Sequence, residues 1–268
     1  MTSRNNERSE WSGFAAAWSA EALKLRRSMV ARLATPLLVG LVPLAAIGAV
    51  ALARSPGLPG AASAKFLPYA TGDLAATHLL VAGQVLSVAV LTAGGFAAAW
   101  SYGREFTDGT AGALIGLPAR PWSIGVAKAL LLTSWLAACV LAALTVTLLA
   151  SLAVGGQPGA EAWRNAIDAA LAGLLAVGLA LPFAWVATLT RSPLGTIGVL
   201  LAVVLVTQIV VVLGAGAWFP YAVPSLLTGM GGPQAATEIG LGSLVLTAAL
   251  APVAALAVAL QWRRLTDV

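Results

Sequence analysis

Few residues in this chain are equipped for chemistry. Its 268 residues include one histidine, His78, one cysteine, Cys139, three lysines and ten carboxylates. Nucleophilic catalysis needs a serine or cysteine held against a base at matching depth. His78 stands at the edge of an apolar run, where it reads as an interfacial or loop residue. Cys139 lies inside another apolar run and reads as a small packing hydrophobe. A single cysteine allows no intrachain disulfide and no Cys/His metal framework, so no metal site is expected. Nucleotide hydrolysis would need a G-x4-G-K-[ST] loop to cradle phosphate. None precedes Lys24, Lys65 or Lys128, so neither a catalytic residue nor a bound cofactor is expected here.

The elements that must position these residues are set by composition. Charged residues make up 9% and hydrophobic residues 59%, with a mean hydropathy of +0.91. Soluble domains average about 25% charged residues, so the chain cannot coat a water-soluble globule. A spanning helix needs about 20 mostly apolar residues. Six stretches qualify, at about 33–53, 79–101, 129–154, 168–190, 194–217 and 239–262. None carries an ionic side chain at its middle, where one would cost about 2.5–3.5 kcal/mol. The expected fold is all-α and polytopic, a single transmembrane domain over 1–268. Pro36, Pro43, Pro182 and Pro252 are expected to kink their spans without breaking them.

Orientation follows from the cations. With the N-terminus inside, twelve Lys and Arg fall on the inner side, against Arg54, Lys65 and Arg164 outside. Both termini are therefore expected in the cytoplasm. The net charge of +5 belongs to this asymmetry and not to a nucleic-acid face. Before the first span, Trp11, Phe14, Trp18, Ala22, Leu25 and Met29 recur at three- and four-residue spacing. With Arg26 and Arg27 near its end, the segment 10–31 predicts an amphipathic helix lying in the membrane interface. Ala51-Leu52-Ala53 resembles a signal-peptidase site, but the long polar segment before the apolar run favours a retained span.

The most distinctive stretch is the loop 102–128 on the basic side. Thr107 or Asp108 is positioned to cap a short helix, Leu114, Ile115 and Leu117 give it an apolar side, and Pro118 and Pro121 end it. The order Glu105, Gly109, Thr110, Leu114, Pro118, Arg120 fits E-x3-G-T-x3-L-x3-P-x-R, followed by Lys128. This resembles the membrane subunits of type 2 ATP-binding cassette permeases. The family layout is similar as well: an N-terminal interfacial helix, six spans, and an outer re-entrant region, matched here by 218–238 with Trp218 to Ser225. The resemblance implies that the loop is a coupling helix docking on a separate ATPase subunit. Glu105, Asp108, Gly109, Thr110 and Leu114 would then meet the partner, with Pro118, Arg120 and Lys128 near the membrane surface. On physical grounds Glu105 suits a salt bridge or helix-start charge, Gly109 a tight backbone approach, and Arg120 and Lys128 positive-inside anchoring.

Two rival readings differ in the residues they would use. A membrane phosphatidyl-alcohol transferase would need aspartates near Asp108 to hold metal ions, yet the next is Asp168, on the other side. An ion-coupled carrier or channel needs ionisable groups inside its spans. Asp168, near the outer end of the fourth span, reads instead as a helix-start charge. Gln84 and Gln208 are the polar residues that could line a pathway or bond between helices. The expected function is therefore an exporter permease for amphipathic or hydrophobic compounds, paired with a second permease copy, identical or not. ATP and Mg would reside on the partner ATPases. The Ala-rich, Lys-poor composition suits a high-GC bacterial source, and hence the bacterial cytoplasmic membrane.

Overall fold

The computed structural model describes residues 2–55, 66–109, 120–230, 232 and 236–264, with side chains described from Gly13 onward. Those residues form helices and no strand. Helix α1 is Thr2–Arg27. Six helices long and apolar enough to cross a membrane follow: α2 Met29–Ala53, α3 Leu74–Thr107, α4 Pro121–Ala153, α5 Ala160–Thr190, α6 Pro193–Val212 and, after a short helix α7 at Val223–Leu227, α8 Leu241–Arg263.

The boundaries have local causes. Ser28 breaks α1 from α2 with an extended backbone, and its Oγ accepts the Ala31 amide at 3.0 Å. Asp73 caps α3 through Oδ1 and the Ala76 amide, and Ser192 caps α6 through Oγ and the Gly195 amide. Each cap satisfies an amide that the helix leaves unbonded. Pro121 and Pro193 sit in the first turn, where no amide is needed. Pro36 is followed by a π turn at Leu37–Leu41, while Pro182 and Pro252 lie within continuous helices.

Several helices outrun the expected spans. α3 continues to Thr107, so residues 102–107, expected in the loop, are helical, and α4 already begins at Pro121. α5 begins at Ala160, which corrects the reading of Asp168. It stands two turns inside the helix, and the first-turn acid is Glu161. A dipole contribution fades beyond the first turn. His78 also needs correction, since it is not in a loop. It lies within α3, 1% exposed, with Nδ1 2.9 Å from Ser151 Oγ of α4. Cys139 is buried, in keeping with a packing role.

α3 and α5 form the centre of the bundle and are the two most buried spans. Both run in the same direction, and small residues set their distance. A Cβ on Gly83 would fall 2.7 Å from Ala169 Cβ, and one on Gly94 would fall 2.6 Å from Ala180 Cβ. The two contacts are eleven residues apart on each helix, about three turns, so they share one face. Without a hydrophobic drive between helices in lipid, such close backbone approach carries much of the association.

At the end of the bundle opposite α1, the segment after α6 folds back. Ala222, Val223 and Leu226 are buried, and the Phe183 and Tyr221 rings lie 6.0 Å apart. Burial pushes the Tyr221 phenol up to about 12. This short helical return packs against α3, α5 and α8.

Candidate functional site

The site is built where α1 crosses the ends of α3 and α4. Glu21 and Lys24 are three residues apart on α1 and project from one face. Glu105 stands in the last turn of α3, and Lys128 in the second turn of α4. Lys128 Nζ lies 2.6 Å from Glu21 Oε2 and 2.7 Å from Glu105 Oε1. Lys24 Nζ lies 2.9 Å from Glu21 Oε1 and 3.0 Å from Glu105 Oε1. Two acids and two bases thus alternate in a closed ring. The Lys128 side chain is 2% exposed, whereas that of Lys24 is 47% exposed. Lys128 also donates to the Ser101 carbonyl at 3.3 Å. Three of the four charges are held away from water, which is tolerable only because each is paired and hydrogen-bonded.

Lys24 lies outside the spans. Burial pulls its ammonium down, but the hydrogen bonds and negative charge of Glu21 and Glu105 outweigh that and leave its pKa raised. A raised lysine contributes its full stability below its unfolded pKa and loses it as pH climbs through the folded one. Its half of the ring is therefore expected to hold through the neutral range and open only in strong alkali. Thermal unfolding that weakened between neutral and mildly alkaline pH on account of Lys24 would contradict this.

Glu105 and Lys128 are the roots of the loop 102–128, so the ring fastens both roots to α1. The roots are pinned on their other side too. Tyr102 is fully buried and donates to the Gly125 carbonyl at 2.7 Å, and its ring meets Trp262 edge-on at 5.8 Å. Trp262 Nε1 in turn donates to Thr188 Oγ1 at 3.3 Å. Around this end Arg104, Arg191 and Arg263 stack over Trp100, Phe106 and Trp122. Such pairing of cations with aromatic faces suits a membrane interface.

The remaining expected loop residues fall as follows. Asp108 caps the C-terminus of α3, and its Oδ2 accepts from Arg104 Nε at 2.6 Å. Gly109 has φ +66°, the left-handed conformation that ends a helix, and among the described residues no atom beyond its chain neighbours comes within 4 Å of a Cβ placed there. That backbone angle is one that glycine supplies without strain. Arg120 is the exposed N-cap residue of α4. Thr110, Leu114 and Pro118 lie outside the described residues.

On α1, Phe14 and Trp18 are half-buried with rings 6.3 Å apart, and Arg26 and Arg27 are exposed. The Trp11 side chain lies outside the described residues. Met29 was grouped with this face but is 65% exposed and belongs to α2. The buried face of α1 is centred on Ala17 and Glu21.

The two glutamines have different fates. Gln84 accepts from Tyr69 Oη at 2.8 Å and donates to the Thr228 carbonyl at 3.1 Å, so its amide ties the segment between α2 and α3 to the folded-back segment. We expect Gln84→Leu to lower protection of residues 216–230 by about 1–3 kcal/mol, read by hydrogen exchange. Unchanged exchange there would remove the tie. Gln208 is exposed on α6, the least buried span.

Sequence reasoning had not joined Glu21 and Lys24 to Glu105 and Lys128. The available signal was an acid set into the buried stripe of α1, at the spacing of Phe14, Ala17 and Leu25.

Comparison with protein families matches residues 18–209, more than half of the chain, to the family described as ABC-2 family transporter protein. The chain belongs to the ABC-2 transporter family. No curated protein matches it. As an ABC-2 protein it is the multi-pass membrane subunit of an ABC transporter, a family whose members work with an ATPase. The matched region takes in all four ring residues and both roots of the loop, while α7 and α8 lie beyond it.

Proposed function

We propose that the chain is the permease of an exporter for amphipathic or hydrophobic compounds, driven by separate ATPase subunits and sited in a bacterial cytoplasmic membrane. The observation that carries the mechanism is the ion ring. A push on the loop 102–128 reaches α3 through Glu105 and α4 through Lys128, and both are bonded to α1. The three elements must therefore move together, which turns a local push at the basic end into displacement of the bundle. ATP and Mg act on the partner, and this chain supplies only the lever and the passage. The basic end then faces the cytoplasm, as the twelve cations on that side favour.

A second permease copy completes the passage in this reading. Gln208 supports it, because an amide on a lipid-facing apolar helix gains from an interhelical hydrogen bond. Spans without central charge favour cargo that is itself apolar or amphipathic. ATPase stimulation by hydrophilic ions or sugars, with none by amphiphiles, would overturn that cargo class.

The deciding experiment is purification of the tagged chain in mild detergent with identification of stoichiometric partners. An ABC-type ATPase should co-elute, and replacing Leu114 or Glu105 should loosen it or uncouple hydrolysis from transport. A chain that elutes alone and moves solute into proteoliposomes without ATP would instead be a carrier or channel, with Gln84, Gln208 and Asp168 as its residues to test.

A further inference from the structure

Beside the ring, between α1, the start of α2, and the ends of α3 and α4, lies an open cavity of about 690 Å³. Its walls are of two kinds. Lys24, Arg27 and Arg104 line one part, and Met29, Trp100 and Leu131 line another. The charges facing it nearly cancel. Glu21 and Glu105 are matched by Lys24 and Lys128, and Arg104 is matched by Asp108. Arg27 is left over, with no ion pair among the described residues. Among the described residues the lining thus carries one positive charge in excess.

Donors remain available as well. Lys24 uses two of its three protons on the ring. Arg104 bonds Asp108 through Nε and lays its guanidinium over Trp100, so its Nη groups make no hydrogen bond among the described residues. Guanidinium forks bind phosphate oxygens in bidentate fashion. Met29 is 65% exposed and Leu23 49% exposed beside them, forming an apolar track out of the cavity. An apolar track that ends in a pocket of single positive charge suits a molecule with one anionic head and an acyl tail.

We infer that this cavity binds one anionic glycerophospholipid from the leaflet at the basic end, its phosphodiester held by Arg27, Arg104 and Lys24. The acyl chain lies along Met29 and Leu23. The bound lipid bridges α1 to α3.

Native mass spectrometry of the full chain in mild detergent tests this, with phosphatidylglycerol and phosphatidylcholine as paired probes. Phosphatidylglycerol should be retained in one copy and phosphatidylcholine lost. The double variant Arg27→Gln/Arg104→Gln should retain about tenfold less or lower still. Both arginines are exposed, and an unchanged helical circular dichroism spectrum will show that the variant folds. Arg263→Gln removes the same kind of charge at the same end but outside the cavity, and should retain the lipid. Equal retention of the two lipids would overturn the proposal, as would an unaffected double variant. An equal loss in Arg263→Gln would reduce the binding to diffuse surface charge. Displacement by excess inorganic phosphate or glycerophosphoglycerol would make the site a reader of phosphate alone and remove the lipid.

Discussion

Replacing Lys128 with methionine should destabilise the folded chain by about 3–5 kcal/mol, the usual cost of leaving buried charge without its partner. Methionine nearly matches lysine in length, so little packing is lost. What remains is the pair Glu21 and Glu105, both buried, sharing the ammonium of Lys24 within the ring. That ammonium is about half in water and cannot neutralise both. The reciprocal change is informative. Glu105→Gln in the same chain restores neutrality to the ring and should recover a substantial part of the loss, as a double-variant cycle in thermal unfolding would show. A single variant that lost under about 1 kcal/mol would mean that the ring contributes no more than a surface pair. Absence of any recovery would mean that the loss came from packing.

The second large effect is expected at the centre of the bundle. Gly94→Val would place a branched side chain where even a Cβ lies 2.6 Å from Ala180 Cβ and 2.9 Å from Leu136 Cδ1. Ala180 has no rotamer by which to retreat, so the helices themselves must part. Overpacking of this kind costs about 1–3 kcal/mol, and parting α3 from α5 would also disturb the contact at Gly83. Gly94→Ala combined with Ala180→Gly moves the methyl to the other helix and should recover most of the stability lost by Gly94→Ala alone. If Gly94→Val unfolds at the temperature of the parent chain, α3 and α5 are not the fixed axis of the bundle. By contrast, the nearest atoms to a Cβ on Gly95 belong to the movable side chain of Leu200, and its alanine variant should be mild.

The spans were legible because hydropathy over about 20 residues is a local property. Their ends were less so. Residues 102–107 are polar enough to resemble a loop, yet they continue α3 because Tyr102 bonds the Gly125 carbonyl and Glu105 meets Lys128. Those partners come from another helix and leave no periodic trace. His78 misled for the same cause, since its Ser151 partner lies 73 residues away. Glu105 and Lys128 were visible as residues of the loop motif, and a salt bridge was expected for Glu105. That Lys24 and Glu21 share it depends on how α1 lies across the bundle, which composition and spacing do not determine.

The π turn after Pro36 has a consequence for sequence length. Its five residues, Leu37–Leu41, hold one residue more than the turn of an α-helix would. Each residue rotates an α-helix by about 100°. Deleting one from elsewhere in α2 would swing Leu38, Val42, Ala46 and Val50, which now face the core, away from it. A deletion within the wide turn lets it close to an ordinary one and leaves the faces on either side in place. Relatives shorter by one residue in this helix should therefore carry the gap between positions 37 and 41, and an engineered single-residue deletion should be tolerated there and nowhere else in the span.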